Sequence, residues 1–295
     1  MNILIFGASG FIGQHLAMAL SEHQLTLVSR KSARIQALAN QLPHATIQTW
    51  DTLADIPLDH IDIVINLCGK SLLGIWTDAF KDELLNSRVT PLNTIATLFG
   101  QHNKPPHIIC ASGVGIYGHQ PDNDHLFKES DHAVHPSFLS SLANTCESTL
   151  PDNHQKHTCY LRLGAVLDLS GGSLPLMCFP HYFGLGAILG KGTQPFSWVS
   201  LSDVIQAFLF AIDQRLTGAY NIVTPIKTTQ QDFQKGLAKA MRRPCFIKIP
   251  EGIAKHFGQM YQELVLSGQQ VSSEKIQQLG FQFKMTEIKG LIRKT

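Results

Sequence analysis

The chain opens with the stretch MNILIFGASGFIGQHLAMAL, residues 1–20. Residues 2–6 form a short apolar run rich in β-forming side chains, which predicts a buried parallel strand. Residues 14–20 have helical composition, and the segment between carries glycines at positions 7, 10 and 13. A strand, a glycine turn and a helix in this order are the context that a dinucleotide-binding fingerprint requires. The stretch therefore predicts an α/β fold organised around a nucleotide site.

Each glycine has a separate role in such a turn. Gly7 allows the tight turn, Gly10 lets the backbone approach a pyrophosphate, and Gly13 lets the helix pack close to the strand. The helix N-terminus offers free N–H groups and the positive end of its dipole to the phosphates. The predicted cofactor contacts in this stretch are Gly7, Ser9, Gly10, Phe11, Ile12 and Gly13.

The second predicted strand, residues 25–28, decides which dinucleotide is expected. An NAD site places an acidic residue just after it to bind the ribose hydroxyls. This chain places Arg30 there, followed by Lys31 and Arg34. A guanidinium binds a 2′-phosphate through bidentate, charge-assisted hydrogen bonds, whereas a carboxylate would repel it. The sequence favours NADP(H), and the alternative is an exposed basic turn at the start of a helix.

Composition limits the classes of protein that the chain can belong to. Its 295 residues suit one large α/β domain with or without an appendage, and 44% hydrophobic residues exclude disorder. The net charge of +2 is spread without a Lys/Arg cluster, so we expect no nucleic-acid partner. No apolar run reaches the roughly 18 residues of a membrane span, so we expect no membrane partner. A strand stands where a signal peptide would lie, which favours a cytoplasmic location.

Cysteine and histidine patterns give no sign of a metal or disulfide site. The six cysteines form no C-x-x-C pair, and several lie in apolar runs typical of buried free thiols. His132 and His135 lie without an acidic or thiol ligand partner, so we interpret them as part of a solvated loop and predict no metal.

Further strands and helices alternate along the chain. Strands are predicted at 45–50, 61–66, 108–112 and 157–163, with helical patterns at 76–100 and 136–150. This rhythm predicts a doubly wound parallel Rossmann sheet. We predict a cofactor domain over 1–165, to which the helix and strand of 200–224 return.

The rest of the chain is predicted to form a smaller, mainly helical substrate lobe over 166–295, with an extension over 245–295. Its glycine-rich segment 171–192 is predicted to cover a small-molecule substrate rather than to form regular core. The oligomeric state is left open.

Several stretches together resemble one family. They are VINLCG at 64–69, WT at 76–77, NSRV at 86–89, AS at 111–112, YG at 117–118, LRLG at 161–164, GKGTQ at 190–194, SW at 197–198, LSGQQV at 266–271 and LGFQF at 279–283. With the G-x-x-G-x-x-G spacing, they resemble the atypical extended short-chain dehydrogenase/reductase branch called the NAD-dependent epimerase/dehydratase family or sugar-nucleotide epimerases. Bacterial members often carry the name cell-division inhibitor. The resemblance covers essentially the whole chain.

Extended relatives carry a Tyr-x-x-x-Lys pair on the helix after strand five, which the atypical branch generally lacks and which is also absent from this chain. In extended relatives the Tyr is the acid/base, and the Lys lowers its pKa and holds the ribose. Counting back from Glu147, these positions fall on Leu139 and Ala143, which cannot exchange a proton. The usual active-site Ser aligns with Gly113. Ser200 also stands where the family usually has His, so any role of that His in substrate binding is changed here.

Ser112 and Tyr117, at the carboxyl end of the fifth strand, are the candidate catalytic residues. The alternatives are that Ser112 bonds only backbone and that Tyr117 packs beneath the nicotinamide. Arg88 and Arg162 are candidate anion anchors, although Arg88 could instead cap or pair on its helix. Beyond the glycine turn, the predicted cofactor contacts are Arg30, Lys31, Asn66, Leu67, Cys68, Gly69, Arg88, Ala111 and Leu163.

The functional expectation has two alternatives. The first is an NADP(H)-binding epimerase or reductase acting on a small carbonyl or hydroxyl compound, nucleotide-linked or free. The second is a non-catalytic NADP(H) sensor or regulatory protein, which the missing Tyr and Lys favour. Oxidation of bound NADPH across a panel of carbonyl compounds discriminates between them.

Overall fold

The computed structural model describes residues 1–30, 33–100, 105–120, 125–254, 256 and 258–292. A seven-stranded parallel sheet with helices on both faces forms its centre, which confirms the predicted fold class. The strands of the chain are β1 (Asn2–Phe6), β2 (Gln24–Val28), β3 (Ala45–Gln48), β4 (Ile63–Asn66), β5 (His107–Gly113), β6 (Thr158–Leu163), β7 (Ala165–Asp168), β8 (Gly171–Gly172), β9 (Ala187–Leu189), β10 (Trp198–Ser200), β11 (Gly218–Ile222) and β12 (Ile247–Ile249).

The described helices alternate with the strands of the central sheet and dominate the C-terminal part. They are α1 (Phe11–Ala19), α2 (Ala33–Ala39), α3 (Asp78–Phe99), α4 (Phe138–Ser148), α5 (Asp152–Gln155), α6 (Leu174–Tyr182), α7 (Leu201–Asp213), α8 (Gln230–Met241), α9 (Glu251–Ala254), α10 (Gln259–Tyr261), α11 (Glu274–Gln278) and α12 (Ile288–Ile292). None of these helices is long and apolar enough to cross a membrane.

The order of the central strands creates a crevice at one edge of the sheet. The order is β11-β6-β5-β4-β1-β2-β3, so the winding direction reverses between β1 and β4. Loops leave neighbouring strands in opposite directions at such a switch point, and ligands bind there, outside the carboxyl ends of the strands. The glycine turn after β1 lies directly at this point.

The core consists of two layers, one on each face of the sheet. Successive side chains of a strand point to opposite faces, so Ile3 and Ile5 pack into the layer beneath α1, α2 and α7. Leu4 and Phe6 pack into the layer beneath α3 and α4. Because β1 is buried on both faces, its continuous apolar run is what a central parallel strand requires.

The C-terminal lobe has a separate small core. Strands β10, β7 and β8 form one small sheet, and β12 pairs with β9 in another. Leu174 and Cys178 of α6 pack with Trp198, Phe233 and Leu291 in this core.

The glycine-rich segment 171–192 is more regular than the sequence indicated. It contains α6 and β9, and α6 buries Leu174, Cys178 and His181 at helical spacing. The outward-facing residues of α6 are also apolar, which hides the periodicity of the buried ones.

Asp203 attaches the lobe to the central domain. Ser200 caps α7 by accepting a hydrogen bond from the Asp203 amide at 3.0 Å. The fully buried Asp203 carboxylate accepts hydrogen bonds from the amides of Lys284 and Met285 at 2.9 and 3.0 Å. In this chain Ser200 is therefore part of a helix cap that fixes the C-terminal extension, and Ser is among the best N-cap residues.

Candidate functional site

The glycine turn after β1 has the geometry of a phosphate-binding loop. Gly7 has a φ of +80°, which favours glycine. A Cβ on Gly13 would lie 2.4 Å from the Gly7 carbonyl oxygen, so α1 can approach the turn only without a side chain there. Gly10 is exposed, has an ordinary φ of −78°, and its Cβ would meet only the Gly7 oxygen at 3.2 Å. Gly10 thus faces the crevice, whereas Gly7 and Gly13 hold the turn together.

The residues between these glycines fix the start of α1. The ring of Phe11 packs against the β7–β8 hairpin, where a Cβ on Gly171 would lie 2.8 Å from it. Ile12 packs against the core beneath α1. The Ser29 hydroxyl donates to that of Ser9 at 3.5 Å, so the loop is held from the end of β2. The first amides of α1 have no acceptor within the helix and point into the crevice.

Arg30 follows β2 as an exposed side chain at the same edge of the sheet. Burial raises the pKa of the Cys68 thiol to about 12, and the nearby positive charge of Arg30 opposes that rise. The guanidinium therefore lies near the end of β4, across the carboxyl edge of β1. Lys31, the other predicted phosphate contact, lies outside the described residues.

The turn after β4 is organised by Asn66 and Arg88. The buried Asn66 side chain accepts a hydrogen bond from the Cys68 amide at 3.1 Å, and the Leu67 amide donates to Phe6 at 2.9 Å. Arg88 donates to the carbonyl oxygens of Leu84 at 3.0 Å and Lys70 at 3.1 Å. This guanidinium clamps the turn to α3, and a contact of Arg88 with a cofactor or another anion stays a prediction.

Gly69 makes room for Arg88 in this structure. A Cβ on Gly69 would lie 3.1 Å from the Arg88 guanidinium carbon. The sequence predicted Gly69 as a cofactor contact. The constraint observed at Gly69 comes from within the protein, and a cofactor contact at this position stays a prediction.

A buried ion pair lies at the carboxyl ends of β5 and β6. The Arg162 guanidinium donates to both oxygens of Glu147, at 2.9 and 2.7 Å. The Ser112 hydroxyl donates to Glu147 at 2.7 Å. Ala111 and Leu163, the predicted cofactor contacts on these strands, pack in the core on either side. The single hydroxyl proton of Ser112 is thus directed at Glu147, which leaves its oxygen free to accept a hydrogen bond.

The Arg162 guanidinium is fully engaged by protein groups, and a role as an anion anchor stays a prediction. Its remaining terminal nitrogen donates to the Tyr117 hydroxyl and to the Glu129 carbonyl, both at 3.0 Å. With Glu147 bound at its other edge, the guanidinium is satisfied by protein groups, and its side chain is 10% exposed. The position at the end of β6 gave no indication of this pairing, because the partner lies on α4.

Tyr117 is fully buried. Its hydroxyl donates to the Asn221 side chain at 2.7 Å and accepts from Arg162. Burial raises the pKa of Tyr117, although Arg162 partly opposes this. A catalytic role for Tyr117 stays a prediction, and this geometry weighs against it because the hydroxyl is held by protein groups on both sides.

The positions of the missing Tyr and Lys are occupied by packed apolar side chains. Leu139 lies against Gly115, where a Cβ would be 3.0 Å from the Leu139 Cβ. Ala143 packs against the cluster around Tyr117. The carboxylate of Glu263 accepts hydrogen bonds from the amides of Phe138 and Leu139, at 3.3 and 3.0 Å, and so caps α4. The sequence did not reveal this cap, because Glu263 is more than 120 residues away.

Within the described ranges, no three His, Cys, Asp or Glu side chains gather as metal ligands. His132 and His135 are both exposed. Among the predicted residues, the structure thus brings together two groups at one edge of the sheet: the glycine turn with Arg30, and Ser112 with the Glu147–Arg162 pair.

Comparison with known proteins finds relatives that match this chain over nearly its whole length. Residues 3–138 match the NAD dependent epimerase/dehydratase family, and residues 252–294 match a domain of unknown function, DUF1731. Epimerase family protein YfhF of Bacillus subtilis is 32% identical, over 98% of this chain and 95% of its own. Epimerase family protein SDR39U1 of Bos taurus is 29% identical, over 99% of each chain. The crystal structure of human epimerase family protein SDR39U1 (isoform 2) with NADPH has a TM-score of 0.85 and 29% identity, and the match covers 99% of this chain and 98% of that one.

We predict that the Glu147–Arg162 pair contributes strongly to the free energy of unfolding, because it joins α4 to the carboxyl ends of β5 and β6. Arg162→Met leaves the Glu147 carboxylate and the Tyr117 hydroxyl buried without their donor, which should cost about 3–5 kcal/mol of unfolding free energy. Urea denaturation measures the loss. Glu83→Gln is the matched control: it breaks the exposed pair of Lys70 and Glu83 and should cost less than about 1 kcal/mol. Equal losses in the two variants would contradict the prediction.

Proposed function

We propose that this chain, which belongs to the NAD-dependent epimerase/dehydratase family, binds NADP(H) and acts slowly on a small carbonyl or hydroxyl compound. The observation that carries the proposal is the glycine turn: Gly10 is open towards the crevice, while Gly7 and Gly13 lock α1 against β1. A pyrophosphate fits there because a helix N-terminus presents unpaired amides and a positive dipole end to it.

Two observations support NADP(H) over NAD(H). Arg30 is exposed at the end of β2, where a carboxylate would bind the ribose hydroxyls of NAD. A relative similar over its whole length, human SDR39U1, has been solved with NADPH. The residues that would hold the cofactor here are the amides at the start of α1, with Arg30 at the 2′-phosphate.

The chemistry available at this site follows from Ser112. A bound NADP(H) supplies or accepts a hydride. The Ser112 hydroxyl donates a hydrogen bond to Glu147. The Ser112 oxygen can therefore accept a hydrogen bond from a substrate hydroxyl and orient that hydroxyl. Donation to a substrate carbonyl requires the hydroxyl to rotate away from Glu147. Both Glu147 oxygens already accept hydrogen bonds from Arg162, and Leu139 and Ala143 supply no acid or base. Proton transfer is therefore the slow part of the proposed reaction.

A specific observation favours the second candidate, an NADP(H) sensor without turnover. Leu139 and Ala143 fill the usual catalytic positions, and the Tyr117 hydroxyl is fully buried. The glycine turn and Arg30 that would hold a dinucleotide are present, but the Tyr and Lys of the extended enzymes, of which the Lys also holds the ribose, are not. The sensor and the slow enzyme share the same cofactor site and differ only in whether Ser112 serves a substrate.

Gly10→Val tests the phosphate loop. Its branched side chain would occupy the space of the pyrophosphate, so binding of NADPH and NADH should fall below detection. The ordinary φ of Gly10 should let the variant fold, which circular dichroism and thermal melting would verify. Gly252→Val is the control, because a Cβ on Gly252 meets no atom within 4 Å. Undiminished cofactor affinity in folded Gly10→Val would show that the turn is only structural.

Arg30→Ala tests cofactor choice. Loss of a charge-assisted phosphate contact should weaken NADPH binding by about 1.5–3 kcal/mol and leave NADH binding nearly unchanged. Arg30→Asp should go further and favour NADH, because a carboxylate binds the ribose hydroxyls and repels the phosphate. Calorimetric titration of the three proteins with both cofactors measures this. The same preference in wild type and Arg30→Ala would sink the assignment.

Turnover separates the enzyme from the sensor. We expect NADPH oxidation far below about 10 s⁻¹ over aldehydes, quinones and keto-sugars. Ser112→Ala should lower the best rate about tenfold, since one hydrogen bond to the substrate is lost. Tyr117→Phe should reduce stability rather than rate, because its hydroxyl holds Arg162 and Asn221. Fast turnover unaffected by Ser112→Ala would refute the slow-enzyme proposal, and tight binding without any turnover would establish the sensor.

A further inference from the structure

Helix α6 presents an apolar face to solvent. Its buried side is Leu174, Cys178 and His181, so Leu176 and Phe179 point outwards. Phe179 and Phe183 lie against each other outside the lobe, with ring centroids 5.3 Å apart. On a soluble surface, large apolar side chains occur singly, and a contiguous group of them marks an interaction site.

The chain that follows α8 extends this face. Strand β12 pairs with β9, which sets Ile247 opposite Ala187. Phe246 therefore lies beside the chain that joins α6 to β9. A Cβ on Gly184 would lie 3.6 Å from the Pro244 ring, so the two segments are in direct contact. The apolar face consists of six side chains that are 56–75% exposed: Leu176, Phe179, Tyr182, Phe183, Leu185 and Phe246.

Positive charge borders the apolar face on the side of α8 and β12. Residues 233–250 contain five Lys or Arg and no Asp or Glu. All five side chains are exposed: Lys235, Lys239, Arg242, Arg243 and Lys248. We call this group the basic rim.

Individual contacts place the basic rim next to the apolar face. Burial raises the pKa of Cys245, and the positive charge of Lys235 on α8 opposes the rise. Lys235 therefore lies near Cys245, next to Phe246 of the apolar face. His181 bonds Gln234 at 2.8 Å, so α6 and α8 are in contact.

Among the described residues, none of the five cations of the basic rim forms a salt bridge with a carboxylate, although Glu251 directly follows the rim in the sequence. Residues 171–190, which carry the apolar face, contain no Asp or Glu. The acidic residue preceding the rim in the sequence, Asp232, caps α8 and accepts the Thr229 hydroxyl at 2.6 Å. The surface therefore combines aromatic and aliphatic side chains with a run of exposed positive charge.

We propose that this face docks the protein on an anionic lipid surface. Aromatic side chains have their preferred place at the headgroup level of a bilayer, and an apolar face can lie a few ångströms into that boundary. Lys and Arg beside it bind anionic headgroups while their stems cover apolar surface. Charge favours this occupant over a second copy of the chain, because an anionic headgroup layer is complementary to the basic rim, whereas a second copy brings the same positive charge.

The docked state needs no membrane-spanning segment. The sequence-based expectation of no membrane partner rested on the absence of an apolar run long enough to cross a bilayer, and interfacial binding uses a folded surface instead. One signal alone gives only marginal attachment to a membrane, and two together give stable attachment. This surface has two, the apolar face and the basic rim.

Sedimentation of the full chain with lipid vesicles tests the proposal. We expect the protein to sediment with vesicles of equal parts phosphatidylcholine and phosphatidylglycerol, and to stay in solution with phosphatidylcholine alone. Added salt should release it, since surface charges are screened.

Phe179→Ser combined with Phe183→Ser should weaken binding about tenfold or more. Lys239→Glu with Arg243→Glu should do the same and keeps the fold intact, because both side chains are exposed.

Matched controls lie elsewhere on the chain. Leu279→Ser removes a half-exposed leucine after α11, and Lys156→Glu reverses an exposed charge beyond α5. Both should bind vesicles as wild type does, and all variants should bind NADPH as wild type does. Equal binding to neutral and anionic vesicles, or no binding to either, would overturn the proposal. A dimer in analytical ultracentrifugation that Phe179→Ser dissociates would assign the face to a second copy instead.

Discussion

The close approach of α1 to the turn after β1 is the constraint on which the site depends. A Cβ on Gly13 would lie 2.4 Å from the Gly7 oxygen, so the helix reaches this position only with glycine there. That approach aims the first amides of α1 at the point where the strand order reverses, between β1 and β4. The ring of Phe11, at the start of α1, packs against the β7–β8 hairpin. This contact joins the glycine turn to the part of the chain that follows the central strands.

The second organising feature is the buried Glu147–Arg162 pair, which sets what chemistry remains. It holds Ser112 on one side and Tyr117 on the other. Tyr117 thereby becomes part of the core, with Asn221 of β11 as its other partner. Of these two hydroxyls, that of Ser112 keeps an oxygen that can accept a hydrogen bond from a ligand. The positions that carry the acid/base pair in extended relatives are here filled by the packed side chains of Leu139 and Ala143.

Much of the fold was predictable because local patterns dictate it. The alternation of apolar strands and helical segments fixed the parallel sheet, and the glycine spacing located the turn. Side-chain partners were not predictable, because they depend on contacts between distant segments. Arg162 pairs with α4, and Glu263 caps α4 from the far end of the chain. Helix α6 was missed for another reason: its exposed residues are as apolar as its buried ones, so no period was visible.

A crystal structure of the NADPH complex tests the central claim most directly. The account predicts the pyrophosphate at the amides that open α1 and the 2′-phosphate within hydrogen-bond distance of the Arg30 guanidinium. It also predicts Ser112 as the proton-bearing side chain nearest the nicotinamide, with Tyr117 still bound to Arg162 and Asn221. A pyrophosphate held away from the glycine turn, or a Tyr117 hydroxyl turned to the nicotinamide, would contradict it.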